Sequence, residues 1–205
     1  MARSSRAVSR VLFSKAVEQG GYFTAKQAKE VGYGYPHLDY HLRVGNFERV
    51  DHGLYRLPTV PIGEHDELVR LTLWSRNQGD EPQAVVSHES ALVFHELSEL
   101  LPSTIHLTVP PKFRKKAPPC CVLHRATLQP TDVEEHQGFW TTTSLRTLLD
   151  VAESDTSQEQ LAKAVADALA RGLVRKKSLK LVMMTQGAAT GRLRAAVEDR
   201  ATTSS

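Results

Sequence analysis

Residues 22–57 read YFTAKQAKEVGYGYPHLDYHLRVGNFERVDHGLYRL. Thr24 precedes Ala25-Lys26-Gln27, the threonine-x-x-glutamine box that satisfies two orphan N–H groups at a helix start, so a helix is expected over 25–31. Gly32-Tyr33-Gly34-Tyr35 reads as a turn. Pro36 suits the first turn of a second helix, which runs to Val44 and stops at Gly45-Asn46. Phe47–Val50 and Leu54–Leu57 read as two short strands joined at Asp51-His52-Gly53, where Gly53 is free to take positive φ. Upstream, Val8 to Gln19 predicts a helix with Val8, Val11, Leu12 and Val17 as its apolar stripe, ended by Gly20-Gly21. Helix, short strand, helix, turn, helix and two-stranded wing is the winged helix-turn-helix order. A DNA-binding domain is therefore expected over residues 1–60, with Pro58 and Pro61 marking a linker.

The rest reads as a mixed α/β domain over 61–200, making the chain α+β. Helices are expected at 64–77 (Leu68, Leu71 and Trp74 inward), 88–97 behind Ser87, 143–151, 158–171, 176–184 and 191–200. Strands are expected at 84–86, 105–109 and 120–125. Residues 201–205 read as a disordered tail.

The net charge of +3 is unevenly spread. Residues 1–60 hold nine Lys/Arg against five Asp/Glu, and residues 61–111 hold two against eight. A basic head suits a polyanion and an acidic middle does not. No apolar run approaches the roughly 20 residues of a membrane span, and no secretory signal is visible, so a cytoplasmic location is expected. Cys120 and Cys121 are expected to be reduced thiols on opposite faces of a strand.

On the helix from Pro36 to Val44, Leu38 and Leu42 face the core and Tyr40 and Arg43 face outward. His37 and the turn tyrosines Tyr33 and Tyr35 lie near its N-terminal end, the part that meets base edges in a helix-turn-helix. Arginine reads guanine O6 and N7, and tyrosine reaches phosphate or a thymine methyl. Arg49, His52 and Arg56 of the wing are placed for the DNA backbone. Lys112, Arg114, Lys115 and Lys116, held between prolines, form a second candidate phosphate contact. No metal, cofactor or catalytic site is expected: His88-Glu89 and His95 lack the His-x-x-x-His spacing of zincins, because Leu92 stands at the fourth position. There is no phosphate loop, dinucleotide fingerprint or nucleophile elbow.

The segments Phe23–Ala28, Gly45–Val50 and Gly53–Pro58 resemble the N-terminal domain of the AbiEi family, the antitoxins of type IV (abortive infection) toxin–antitoxin systems. The likeness continues through Val86–Leu92, Ile105–Pro110, Thr141–Asp150 and Asp167–Leu173. It implies a transcriptional repressor that binds inverted repeats in its own promoter. It also implies an antitoxin that counteracts a nucleotidyltransferase-like toxin without a stable complex, giving phage resistance. The DNA contacts it implies fall on Tyr35, His37, Tyr40, Arg43, Arg49, Arg56 and the Lys112–Lys116 loop. The recognition helix departs from many relatives in carrying Tyr40-His41-Leu42 where they have more arginine. A solitary regulator or a protein-interaction module with no cognate toxin is the alternative. A nuclease is a third reading that the residues do not favour.

Overall fold

A computed structural model of the 205-residue chain describes residues 5–99, 102–184 and 188–203. It divides into two compact units. The first holds the residues up to Ala84 with Glu135–Phe139, and the second holds Val85–Glu134 and the residues from Trp140 on.

The first unit contains α1 (Ser5–Glu18), β1 (Tyr22–Thr24), α2 (Ala25–Val31), α3 (Tyr35–Arg43), β2 (Glu48–Asp51), β3 (Leu54–Arg56) and α4 (Asp66–Ser75). Its antiparallel sheet has the order β1-β3-β2, so β3 is central. The capping box forms as expected: the Thr24 hydroxyl accepts from Gln27 N, and the Gln27 side chain accepts from Thr24 N. The Gln27 amide is fully buried and is paired with Gln19, donating to Gln19 Oε1 at 2.8 Å. Gln19 Oε1 also accepts from Arg76 at 2.7 Å, so this polar network links the C-terminal ends of α1 and α4 to α2. The core gathers Leu12, Ala16, Phe23, Ala28, Leu38, Phe47, Tyr55 and Leu57.

Three expectations change here. Of the stripe expected on α1, only Leu12 is shown to be buried, with Ala16 beside it, while Val11 and Val17 are exposed. On α4 the buried apolar positions are Val69, Leu71 and Leu73, and Leu68 and Trp74 are half-buried. The stretch after the wing is not a free linker. Leu57 N donates to Gly21 O at 2.8 Å, Val60 packs on Gly21, and Tyr22 Oη donates to Asp66 at 2.8 Å. Residues 61–84 thereby fall with the first unit rather than the second.

The second unit contains β4 (Val85–Val86), α5 (His88–Phe94), β5 (Ile105–Val109), β6 (Cys121–Arg125), α6 (Ser144–Glu153), α7 (Gln158–Ala170), α8 (Lys176–Met183) and α9 (Ala188–Thr203). Two three-residue strands not expected from the sequence, β7 (Val133–Glu135) and β8 (Trp140–Thr142), complete a mixed sheet of order β6-β5-β4-β8-β7. β5 and β6 run parallel, Ile105 opposite Cys121 and Val109 opposite Arg125, so residues 110–120 must carry the chain back along β5. Phe113, buried, anchors that crossing. The apolar core lies among α5, α6, α7, α8 and α9, with Leu92, Leu148, Leu161, Val165, Leu179 and Leu193 at its centre. α9 includes residues 201–203 of the expected tail, and 204–205 lie outside the described residues. Cys120 and Cys121 form no disulfide, and their Sγ atoms lie 3.6 Å apart because Cys120 precedes β6 and escapes the strand alternation. No helix among the described residues is long and apolar enough to cross a membrane. The α+β class holds, with helices and a small wing-bearing sheet first and a mixed sheet with helices after it.

Candidate nucleic-acid interface

Gly32 ends α2 at φ 109° and Tyr33 N returns to Ala28 O at 2.8 Å. That reversal launches α3, whose first turn carries Pro36. Leu38, 2% exposed, fixes the inner face of α3. The outer face presents Tyr35 and Tyr40, 75% and 56% exposed, with His37 and Arg43 also exposed. These are the expected base-reading positions, and α3 brings the four together. The Arg43 guanidinium is engaged by Asp39 at 2.8 Å, one turn earlier on the same exposed face. The i,i+4 spacing was the signal that would have found Asp39.

Two expected contacts are withdrawn by their burial. Tyr33 is 9% exposed and packs edge-on against Phe47 and His41, at 5.8 and 5.3 Å between ring centres. The left-handed Gly32 turns its side chain into the core. Arg56 is 8% exposed on the central strand β3. Its guanidinium meets Glu48 at 3.4 Å and donates to the Val60 carbonyl, so it braces the wing rather than projecting from it.

His41 is not an outward reader either. Its ring stacks on Phe47 at 4.6 Å, and its Nδ1 lies 3.1 Å from the Asn46 amide. Burial, helped by the neighbouring His37, lowers its pKa and keeps the imidazole neutral. On the wing, Arg49 and His52 are exposed, with Asp51 between them shaping the turn: its carboxylate accepts from His52 N at 2.6 Å. A bulge between Arg49 and Asp51 re-aims this edge. The outer surface of α3 and the wing thus mixes Arg43 and Arg49 with Asp39, Glu48 and Asp51. Further exposed cations of this unit sit on α1 and α2, at Arg10, Lys26 and Lys29.

In the second unit Lys112, Arg114, Lys115 and Lys116 are all exposed around the buried Phe113. Partial desolvation lowers the Lys115 pKa. The turn from Pro110 O to Phe113 N, 2.9 Å, fixes the start of this basic loop. No group of three or more His, Cys, Asp and Glu among the described residues has the geometry to hold a metal ion. His95 Nε2 lies 2.7 Å from the Thr142 carbonyl, while the Glu89 carboxylate accepts from Ser154 and Thr156.

Comparison with known proteins adds family and fold. Residues 10–58 match the model of the AbiEi antitoxin transcriptional regulators. The chain shares its fold with the crystal structure of the RV2827C protein from Mycobacterium tuberculosis, at a TM-score of 0.58 and 15% identity. That likeness covers 97% of this chain and 78% of the other. No curated protein matches the sequence. Residues 10–58, from within α1 to just past β3, are thus similar to the N-terminal domain of the AbiEi antitoxin transcriptional regulators.

Proposed function

We propose that the chain is an antitoxin-type transcriptional repressor that binds double-stranded DNA in its own promoter and counteracts a nucleotidyltransferase-like toxin, without enzymatic activity of its own. The observation that carries the DNA reading is the outer face of α3, where Tyr35, Tyr40 and Arg43 stand exposed on the recognition helix of a winged helix-turn-helix. His37, Arg49 and His52 complete the reading surface. Lys112, Arg114, Lys115 and Lys116 supply phosphate contacts. An inverted repeat would engage two molecules. The test is a gel shift on DNA upstream of the gene against random DNA, across a salt series; equal affinity for both overturns the reading. The toxin half is tested by co-expression with the nucleotidyltransferase-like product of the adjacent gene, where failure to rescue growth overturns it.

Asp39 and Arg43 act oppositely in this scheme. Arg43→Ala is expected to cost about 1–3 kcal/mol and to relax preference at one base pair, because a guanine loses its bidentate partner. Asp39→Ala removes a negative charge facing the polyanion and also frees the guanidinium that it orients. Random DNA is expected to bind more tightly and the preference for the operator to shrink. Parallel titrations of both variants on the two DNAs separate these effects. Lys112→Ala is expected to weaken all sequences alike and to flatten the slope of log affinity against log salt by about one unit.

A protein-interaction module is the second reading, favoured by the three carboxylates of Asp39, Glu48 and Asp51 beside Arg43 and Arg49. Toxin rescue by a full chain that shows no DNA binding would select it.

A further inference from the structure

The second unit holds a cavity of about 540 Å³. That volume suits a small organic molecule and far exceeds a single ion. Alternation along β5 buries Leu107 and Val109 and turns His106 and Thr108 to the cavity, and β6 adds His124 beside them. His88 enters from the start of α5, and Glu153 with the Arg146–Asp150 pair from α6.

The polar groups are organised. The His124 ring stacks nearly parallel on His88 at 3.5 Å and lies 5.2 Å from His106, with His88 and His106 themselves 6.1 Å apart. His106 Nδ1 is 3.1 Å from His124 Nε2 and 3.0 Å from Glu89 Oε2. Glu89 is held from its other side by the hydroxyls of Ser154 and Thr156, at 2.7 and 2.5 Å. His88 adopts φ +52°, a left-handed conformation that a non-glycine residue rarely takes, and such strain concentrates at functional sites. Nothing in the DNA-binding scheme uses these residues.

Their charges point to one class of ligand. Burial first, and the neighbouring imidazole next, hold the His88 pKa down to about 3 and lower that of His124, so neither ring brings positive charge near neutral pH. Arg146 is occupied by Asp150 at 2.7 Å and Asp132 at 3.5 Å. Asp150, 4% exposed, is pushed up to about 6 chiefly by burial, with the carboxylates of Glu153 and Asp132 adding to the rise against the pull of Arg146. Glu153 and Asp155 add two exposed carboxylates to the lining against the one exposed Arg125. The lining is therefore short of positive charge. It also lacks metal-holding geometry among the described residues.

We propose that this cavity binds a small organic cation, an amine or guanidinium compound, with Glu89, Glu153 and Asp155 supplying the attraction and the His88–His124–His106 ladder forming its wall. The test is calorimetric titration of the full chain at neutral pH with agmatine and with putrescine, alongside inorganic phosphate and Zn²⁺. At least one amine is expected to bind saturably and to raise the melting temperature. The double variant Glu153→Gln, Asp155→Asn alters only exposed side chains. It is expected to keep the melting temperature of the free protein while weakening the amine by roughly tenfold, the equivalent of about 1.4 kcal/mol. Glu89→Gln, the inner substitution, is expected to weaken it further. No saturable binding of either amine at concentrations up to about 10 mM, beyond the millimolar dissociation constant of a weak complex, overturns the proposal. So does unchanged amine binding in the double variant, or saturation by phosphate or Zn²⁺ where the amines fail.

Discussion

Phe23→Ala is expected to destabilise the first unit by about 3–5 kcal/mol, the usual cost of removing a fully buried aromatic ring. Phe23 is 0% exposed and lies opposite Tyr55 in the β1–β3 register. Its ring stacks on Tyr55 at 5.6 Å and meets the edge of Phe47 at 4.9 Å. Phe47 in turn supports Tyr33 and His41, so one ring backs both the turn that launches α3 and the end of that helix. The loss is comparable to the whole stability of many small domains. DNA affinity is expected to vanish along with the urea transition of this unit. Phe23→Leu keeps most of the volume and should retain both. Urea unfolding followed by circular dichroism, with a gel shift on the same samples, checks the prediction. A Phe23→Ala protein that unfolds at the wild-type midpoint would refute it.

The second large effect is in acid. The fold holds His88 neutral, with its pKa at about 3. Between pH 3 and the ordinary histidine value near 6.5, the unfolded chain therefore binds more protons than the folded one. Stability is lost as pH falls through that window, by about 3 kcal/mol from pH 7 to 4 on linkage arithmetic. Asp150 works the other way. Its folded pKa of about 6 lies above the unfolded carboxylate value, so the folded state keeps the proton and stability rises as pH falls from 6 towards 4. That contribution is about 2 kcal/mol over the same interval. The wild type should accordingly show a shallow acid slope, steepened somewhat by His124, which is also held neutral. His88→Asn removes one of the two opposing terms, and asparagine tolerates the positive φ at this position. Relative to wild type it should lose about 3 kcal/mol less between pH 7 and 4. Asp150→Asn should become more acid-sensitive instead. Urea midpoints at the two pH values read both signs, and parallel slopes in all three proteins would refute the assignment.

The winged helix was legible because its signals are local. A capping box, a proline in a first turn and glycines at Gly45 and Gly53 each act within a few residues. What escaped depends on partners distant in sequence. Arg56 read as an outward wing residue because a two-stranded hairpin leaves one face open, but β1 pairs with β3 and makes it central. The inner face of α1 is marked by Leu12 and Ala16, with Gln19 buried just past its end, and a stripe of large apolar residues reveals only the first of these. β7 and β8 are too short to show a period. Asp39 was readable from its spacing to Arg43. The histidine ladder was not, since His88, His106 and His124 come from three elements and meet only through the β5–β6 register. The metal spacing tested at His88 and His95 was local, and the histidines that do meet are not.

That register also governs the basic loop. Parallel neighbours usually need a dozen or more connecting residues, commonly a helix. Here residues 110–120 make the return without one, crossing back along a five-residue strand while seating Phe113. The loop is thus a ruler as well as a carrier of charge. Deleting one residue would favour a one-place slip of β6, and a strand that slips by one exchanges its two faces. His124 and Val122 would then turn away from the cavity wall and Leu123 would turn towards it. Changes in loop length that leave every lysine in place should therefore damage the second unit, whereas exchanging Lys112 or Lys116 at constant length should not.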